Sequence, residues 1–138
     1  MSDTLVDANV LIDIFGGDPD WRGWSRAQLL AARKRGDIVV NPLIYAEVAA
    51  AFPTQRRLDE ALSAERYRRE DLPWDAAFNA GRAFLAYRRA GGLKRSPLPD
   101  FYIGAHAEVK GYSLLTRDQT RYRQAFPSLK IISPESQP

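Results

Sequence analysis

Four short runs rich in Val, Ile and Leu, "TLVDA", "DIVV", "YSLLT" and "LKII", recur along the chain, and between them lie longer stretches with helical spacing. That alternation constrains the fold more than any other feature. Parallel strands need long crossover connections, and helices in those crossovers cover both faces of the sheet. The pattern therefore predicts an α/β sandwich on a mostly parallel central sheet of four or five strands. At 138 residues the chain has the length of one core. A single domain is expected over 1–133, followed by a mobile tail at 134–138 that has too little apolar content to pack.

The helices are punctuated by their caps. "NVLIDIF" reads as a short helix capped by Asn9, and Asp18 and Pro19 open a second that stops at Gly36. Asn41 and Pro42 begin "NPLIYAEVAAAF", which Pro53 ends. "TQRRLDEALSAERYRRE" is expected to form one charged amphipathic helix, and "WDAAFNAGRAFLAYRRAGG" another. "LKRSPLP" is a loop, "DFYIGAHAEVKG" a helix closed by Gly111, and "QTRYRQAF" a short helix before the last strand.

Aspartate at position 7 is out of place in this pattern. A central parallel strand is covered on both faces, so an ionised carboxylate at its end needs partners, although it can serve simply as a helix cap. Glu47 is the only charged residue from Ile38 to Gln55 and shares a helix face with Leu43, Ile44, Ala50 and Ala51. Asp100 opens a helix whose same face carries Ile103, Gly104 and Ala107, small enough to let a backbone or ligand approach. Asp118 follows the "YSLL" strand. Each acid alone has an ordinary structural explanation as a cap, a snorkelling side chain or a partner of the helix dipole.

Together they read differently. Parallel strands place the end of the first strand and the end of "YSLL" on one sheet edge, where ligands bind in open α/β folds. Carboxylates converging there repel one another unless a cation neutralises them. Oxygen ligands without cysteine favour Mg²⁺ or Mn²⁺ over Zn²⁺. The chain is also mildly basic, with 20 Lys and Arg against 17 Asp and Glu. Acids that could hold a divalent ion, in an arginine-rich protein, suit phosphodiester hydrolysis.

Four blocks carry a resemblance. "LVDANVLID", "NPLIYAEV", "LPDFYIGAHA" and "LLTRDQTRYRQAFPSLKIISP" resemble, in order and over nearly the whole chain, those of the PIN-domain ribonucleases, and most closely the VapC toxins of toxin–antitoxin pairs. The resemblance implies a PIN-like three-layer α/β/α sandwich and a metal-dependent endoribonuclease using Mg²⁺ or Mn²⁺. It places the catalytic, metal-holding quartet on Asp7, Glu47, Asp100 and Asp118, with Asn9 and Thr116 in support. It also implies an RNA substrate, a cognate VapB-like antitoxin, and a homodimer that assembles into larger complexes with that antitoxin. Ala8 departs from the Thr or Ser common after the first acid, and Asp13 is assigned a supporting or structural role.

Other residues have weaker claims. Arg117, Arg121 and Arg123, with Lys94 and Arg95 before Asp100, are candidate RNA contacts or merely a solvated face. Phe15, Trp21 and Trp24 form a candidate antitoxin groove, with core packing as the default. His106 lies about 120° round its helix from Asp100, so a surface or packing role is expected. No apolar run reaches the roughly 18 residues that span a bilayer, the N-terminus lacks a secretory pattern, and cysteine is absent. A soluble cytoplasmic protein is expected. The competing readings are a housekeeping RNA-processing nuclease, a Mg²⁺-dependent aspartyl-phosphate enzyme and a non-catalytic RNA- or protein-binding module.

Overall fold

The computed structural model describes residues 2–91 and 98–134. Five parallel strands form one sheet: β1 (Thr4–Val6), β2 (Ile38–Val40), β3 (Arg68–Arg69), β4 (Ser113–Leu115) and β5 (Ile131–Ile132), in the order β3-β2-β1-β4-β5. Seven helices complete it: α1 (Ala8–Gly16), α2 (Arg22–Arg35), α3 (Pro42–Ala49), α4 (Gln55–Ala61), α5 (Trp74–Arg89), α6 (Leu98–Lys110) and α7 (Thr120–Arg123). From β1 the chain steps to β2 and β3, then crosses back to β4 and β5 on the other side of β1. Right-handed crossovers therefore put α1 to α4 on one face and α5 to α7 on the other, giving three layers.

The reversal of strand order falls between β1 and β4, which pair directly with Leu5 opposite Leu114 and Val6 opposite Leu115. That junction is where an open α/β sheet forms its crevice. The three central strands are fully buried, and Leu5, Val6, Val39, Val40, Leu114 and Leu115 make the centre of the core. Among the described residues, no helix is long and apolar enough to cross a membrane.

Two expectations about local structure are corrected. α1 begins two residues earlier than Asn9 would allow: Asp7, in extended conformation, caps it by accepting from the Ala8 N–H at 2.8 Å. The strand ends at Val6, so the first residue after it is the one free to cap. "TQRRLDEALSAERYRRE" does not stay helical, because α4 ends at Ala61 and Arg68–Arg69 pair with Val39 and Val40 as the edge strand β3. Leu58, Leu62 and Tyr67 are buried. Seating all three requires a turn at Ser63–Tyr67, whose Tyr67 N–H reaches the Ser63 carbonyl. Two residues with charged side chains suit an edge strand, which is short and exposed.

α6 and α7 pack closely at one glycine. A Cβ on Gly104 would lie 2.5 Å from the Phe126 ring and 3.2 Å from that of Tyr122. The small residues below Asp100 thus admit two aromatic rings of this chain, not a ligand or a backbone. Gly104→Ala overpacks this contact. It is expected to lower unfolding stability by about 1–3 kcal/mol, read as a fall in denaturation midpoint, despite alanine's higher helix propensity.

Candidate active site

Asp7 leaves β1 at the strand reversal and is only 4% exposed. Its Oδ1 accepts from the Ala8 N–H, while Oδ2 accepts from the Thr116 hydroxyl at 2.9 Å and the Tyr122 phenol at 2.8 Å. Thr116 stands at the same height as Asp7, directly after β4, because the two strands are parallel and in register. The Asn9 side-chain amide donates to Thr116 Oγ1 at 3.2 Å and its oxygen accepts from the Arg117 N–H, tying α1 to the loop after β4. The Asp118 N–H also donates to Thr116 Oγ1. Thr116 is therefore a junction for three segments.

Tyr122 was not singled out by sequence reasoning. Its signal was the pair Tyr122 and Phe126, four residues apart and close after Asp118, which marks the buried face of the segment that returns toward β1. Burial, and the charges of Asp7 and Asp100, push its phenol far above the usual range. It stays protonated and donates.

Asp100 and Asp118 approach from the ends of α6 and β4. Asp100 is buried, and its Oδ2 has no hydrogen-bond partner. The Arg121 guanidinium lies 3.6 Å from that oxygen and donates through Nε to Asp118 Oδ2 at 2.8 Å. Thr120 closes the other side of Asp118, donating to Oδ1 at 2.6 Å.

Glu47 comes from α3, which packs against both α1 and α6. The apolar look of α3 misleads: only Ile44 and Val48 are buried, and Glu47 is exposed with Ala46 and Ala50 on the outer side. Its carboxyl still senses the site.

Three of the four acids hold their protons more tightly than an ordinary carboxyl. Burial raises Asp7 most directly, against the pull of its three donors. Burial also raises Asp100, with Arg121 opposing and Asp7 and Asp118 assisting. Partial burial, then the charges of Asp7 and Asp100, raises Glu47. Among the described residues, no three acidic, histidine or cysteine side chains close into a metal cage. The donors are nonetheless of the right kind for a hard cation: buried Asp100 Oδ2 has an unused acceptor position, and one guanidinium supplies the nearby positive charge.

Several candidates have other duties. Arg117 pairs with buried Asp13, Nε to Oδ2 at 2.7 Å and Nη2 to Oδ1 at 3.1 Å, and lies 5.1 Å over the Trp21 ring. Ser25, which drew no attention in the sequence, donates to the same Asp13 oxygen at 2.6 Å. Arg123 reaches the Gln119 side chain and the Leu129 carbonyl. Trp21 and Trp24 meet edge to face, but Phe15 pairs with Phe52, so the three do not form one aromatic group.

His106 is fully buried; Asn41 donates to Nδ1 at 2.9 Å, and Nε2 faces Glu70 at 2.8 Å. Burial holds its pKa below the usual range. The packing role expected of His106 fits this placement, and the surface role does not. Lys94 and Arg95, and residues 135–138 of the expected tail, lie outside the described residues.

Comparison with known proteins gives a consistent outline. The PIN domain model matches residues 4–127. No curated protein sequence matches significantly. The fold is similar to that in a crystal structure of VapBC2 from Rickettsia felis bound to a promoter DNA fragment (TM-score 0.71, 18% identity, 95% of this chain and 98% of that one). It is also similar to that in FitAcB from Neisseria gonorrhoeae (0.70, 19%, 97% and 99%). A toxin-antitoxin complex from Klebsiella pneumoniae is a further match (0.69, 24%, 95% and 97%).

Two measurements follow from the electrostatics. A carboxyl raised in the folded state costs stability once ionised. The cost is absent below the ordinary carboxylate pKa, grows as the pH rises toward the raised value, and is complete above it. In EDTA, the melting temperature of Asp7→Asn relative to wild type is therefore expected to rise with pH across that window. A pH-independent difference would show that Asp7 is not raised. Asp13→Ala strands the buried Ser25 hydroxyl and the Arg117 guanidinium. It is expected to cost about 2 kcal/mol in a denaturant titration.

Proposed function

Because the chain belongs to the PIN-domain family, we propose that it is a divalent-metal-dependent endoribonuclease of the VapC toxin type, restrained by a VapB-like antitoxin. The observation that carries the reading is the seat at the β1/β4 reversal. There a buried Asp7, oriented by three donors, adjoins a buried Asp100 with an unsatisfied oxygen, and Arg121 is the neighbouring cation.

In this reading Asp7, Asp100 and Asp118, with Glu47 from across the crevice, hold Mg²⁺ or Mn²⁺. Bound there, the ion supplies an activated water and charge stabilisation at the scissile phosphate. The chain's own residues do the positioning. Thr116 and Tyr122 keep Asp7 aimed into the crevice, and Asn9 holds Thr116. Arg121 offsets the acids' repulsion and can share its guanidinium with an RNA phosphate, a geometry its planar fork suits. Arg123, Lys94 and Arg95 are further phosphate contacts in this reading. Arg117, committed to Asp13, contributes mainly to structure.

The solved structures named above include VapBC and toxin-antitoxin complexes, which supports an antitoxin partner for this chain. The half-buried Trp21 and Trp24, with Phe15 to one side, offer it an aromatic surface. A homodimer acting in the cytoplasm, assembling further with the antitoxin, completes the proposal.

Purified protein is expected to cleave single-stranded RNA with Mg²⁺ or Mn²⁺, to stop in excess EDTA, and to recover when metal is restored. Asp7→Asn and Asp100→Asn are each expected to reduce the rate by about 100-fold or more. Full activity in either variant, or in EDTA, would overturn the assignment.

A further inference from the structure

A cavity of about 280 Å³ opens between α5, α6 and α7. It exists because the helices meet there through small side chains. Ala83, Ala86 and Ala90 line it from α5 and its C-terminal end at spacings of three and four, and Ala125 lines it from beyond α7. Neither wall can fill the gap. Two aromatic rings, Tyr87 and Phe101, stand in the lining with centroids 5.4 Å apart. The opposite rim is polar and comes from α7 and the residue after it: Thr120, Arg121 and Gln124.

That rim is continuous with the acidic site. Arg121 is the residue that contacts both Asp118 and Asp100, and Thr120 is hydrogen-bonded to Asp118. Neither this cavity nor one of about 290 Å³ beside Asn41, Tyr45 and Glu70 is lined by any of the four acids, but only the former carries Thr120 and Arg121, which bind them.

We propose that this slot receives a nucleobase of the RNA, from the nucleotide flanking the phosphodiester at the acids, and that Tyr87 and Gln124 set the base preference of cleavage. The inference rests on the nuclease reading above. A largely apolar cavity with aromatic rings in its lining is what an unstacked base occupies in single-stranded recognition. The Gln124 amide offers both a donor and an acceptor to a base edge, and Arg121 lies between slot and acids where the linking phosphate would pass. A base in the slot thereby leaves its phosphate next to Asp100 and Asp118.

The test separates base binding from cleavage. The four nucleoside 5′-monophosphates are titrated in EDTA into ¹⁵N-labelled full-length protein, and into Ala86→Leu, which fills the slot, and Gln124→Ala, which removes only the rim amide. Saturable shifts in the Gln124 side-chain amide and in the backbone around Tyr87 are expected for wild type, with affinities that differ among the bases. Ala86→Leu should weaken binding about 10-fold or more, and Gln124→Ala should narrow the differences among bases.

With Mn²⁺ and a mixed-sequence RNA, sequencing of the new 5′ ends should show an altered base preference next to the cut in both variants. Base binding without RNA cleavage by wild type would sink the nuclease reading and leave the slot standing. Nucleotide binding and cleavage sites unchanged in Ala86→Leu would overturn the slot as a base site and leave it to a protein partner.

Discussion

The structure depends on how one buried carboxylate is satisfied. Asp7 ends the central strand where no water reaches it freely, and an unpaired charge there would cost several kcal/mol. Its three donors come from three places in the chain: the first N–H of α1, a hydroxyl just past β4, and a phenol from α7. Each fixes an element. Thr116 requires β4 beside β1 in this register, and Tyr122 requires α7 to lie against α6, which Gly104 permits. The same bonds that make Asp7 tolerable in the core also hold it in a single orientation, which a ligand site needs.

Charge around it is balanced locally. Burial raises Asp7, Glu47 and Asp100, repulsion from neighbouring acids adds to the rise at Glu47 and Asp100, and Arg121 works against it at all three. The site thus combines unsatisfied acceptor capacity with one adaptable cation. Under the nuclease proposal, both acids and guanidinium gain stronger partners when metal and phosphate arrive. The slot behind Arg121 would then place the neighbouring base.

Bulk basicity proves to be a poor guide to where a polyanion would sit. Sixteen of the 20 basic residues are arginine, and several hold the fold together. Arg68 joins Asp3, Asp37 and Tyr112 across the sheet edge, Arg69 pairs with Asp59, and Arg117 serves buried Asp13. Arg121 stands apart because its charge is directed at the acids. Composition counts charges but does not say which are already paired.

The order of elements, the parallel sheet and the strand-end position of Asp7 and Asp118 were legible in the sequence, because they follow from local periodicity and from the direction parallel strands must run. The cap at Asn41, the stop at Gly36 and the exclusion of His106 from the acid face were equally local. What the sequence could not specify depended on partners distant along the chain. Arg68–Arg69 are strand only because Val39 and Val40 lie alongside, and Glu47 stays solvent-accessible near Asp7 and Asp100 because Ile44 and Val48 take the buried side of α3. Tyr122 is a partner of Asp7 across 115 positions. Local pattern determines which residues want to be buried or extended; only the packed structure decides which buried polar atom finds which donor, because that is settled by geometry among elements.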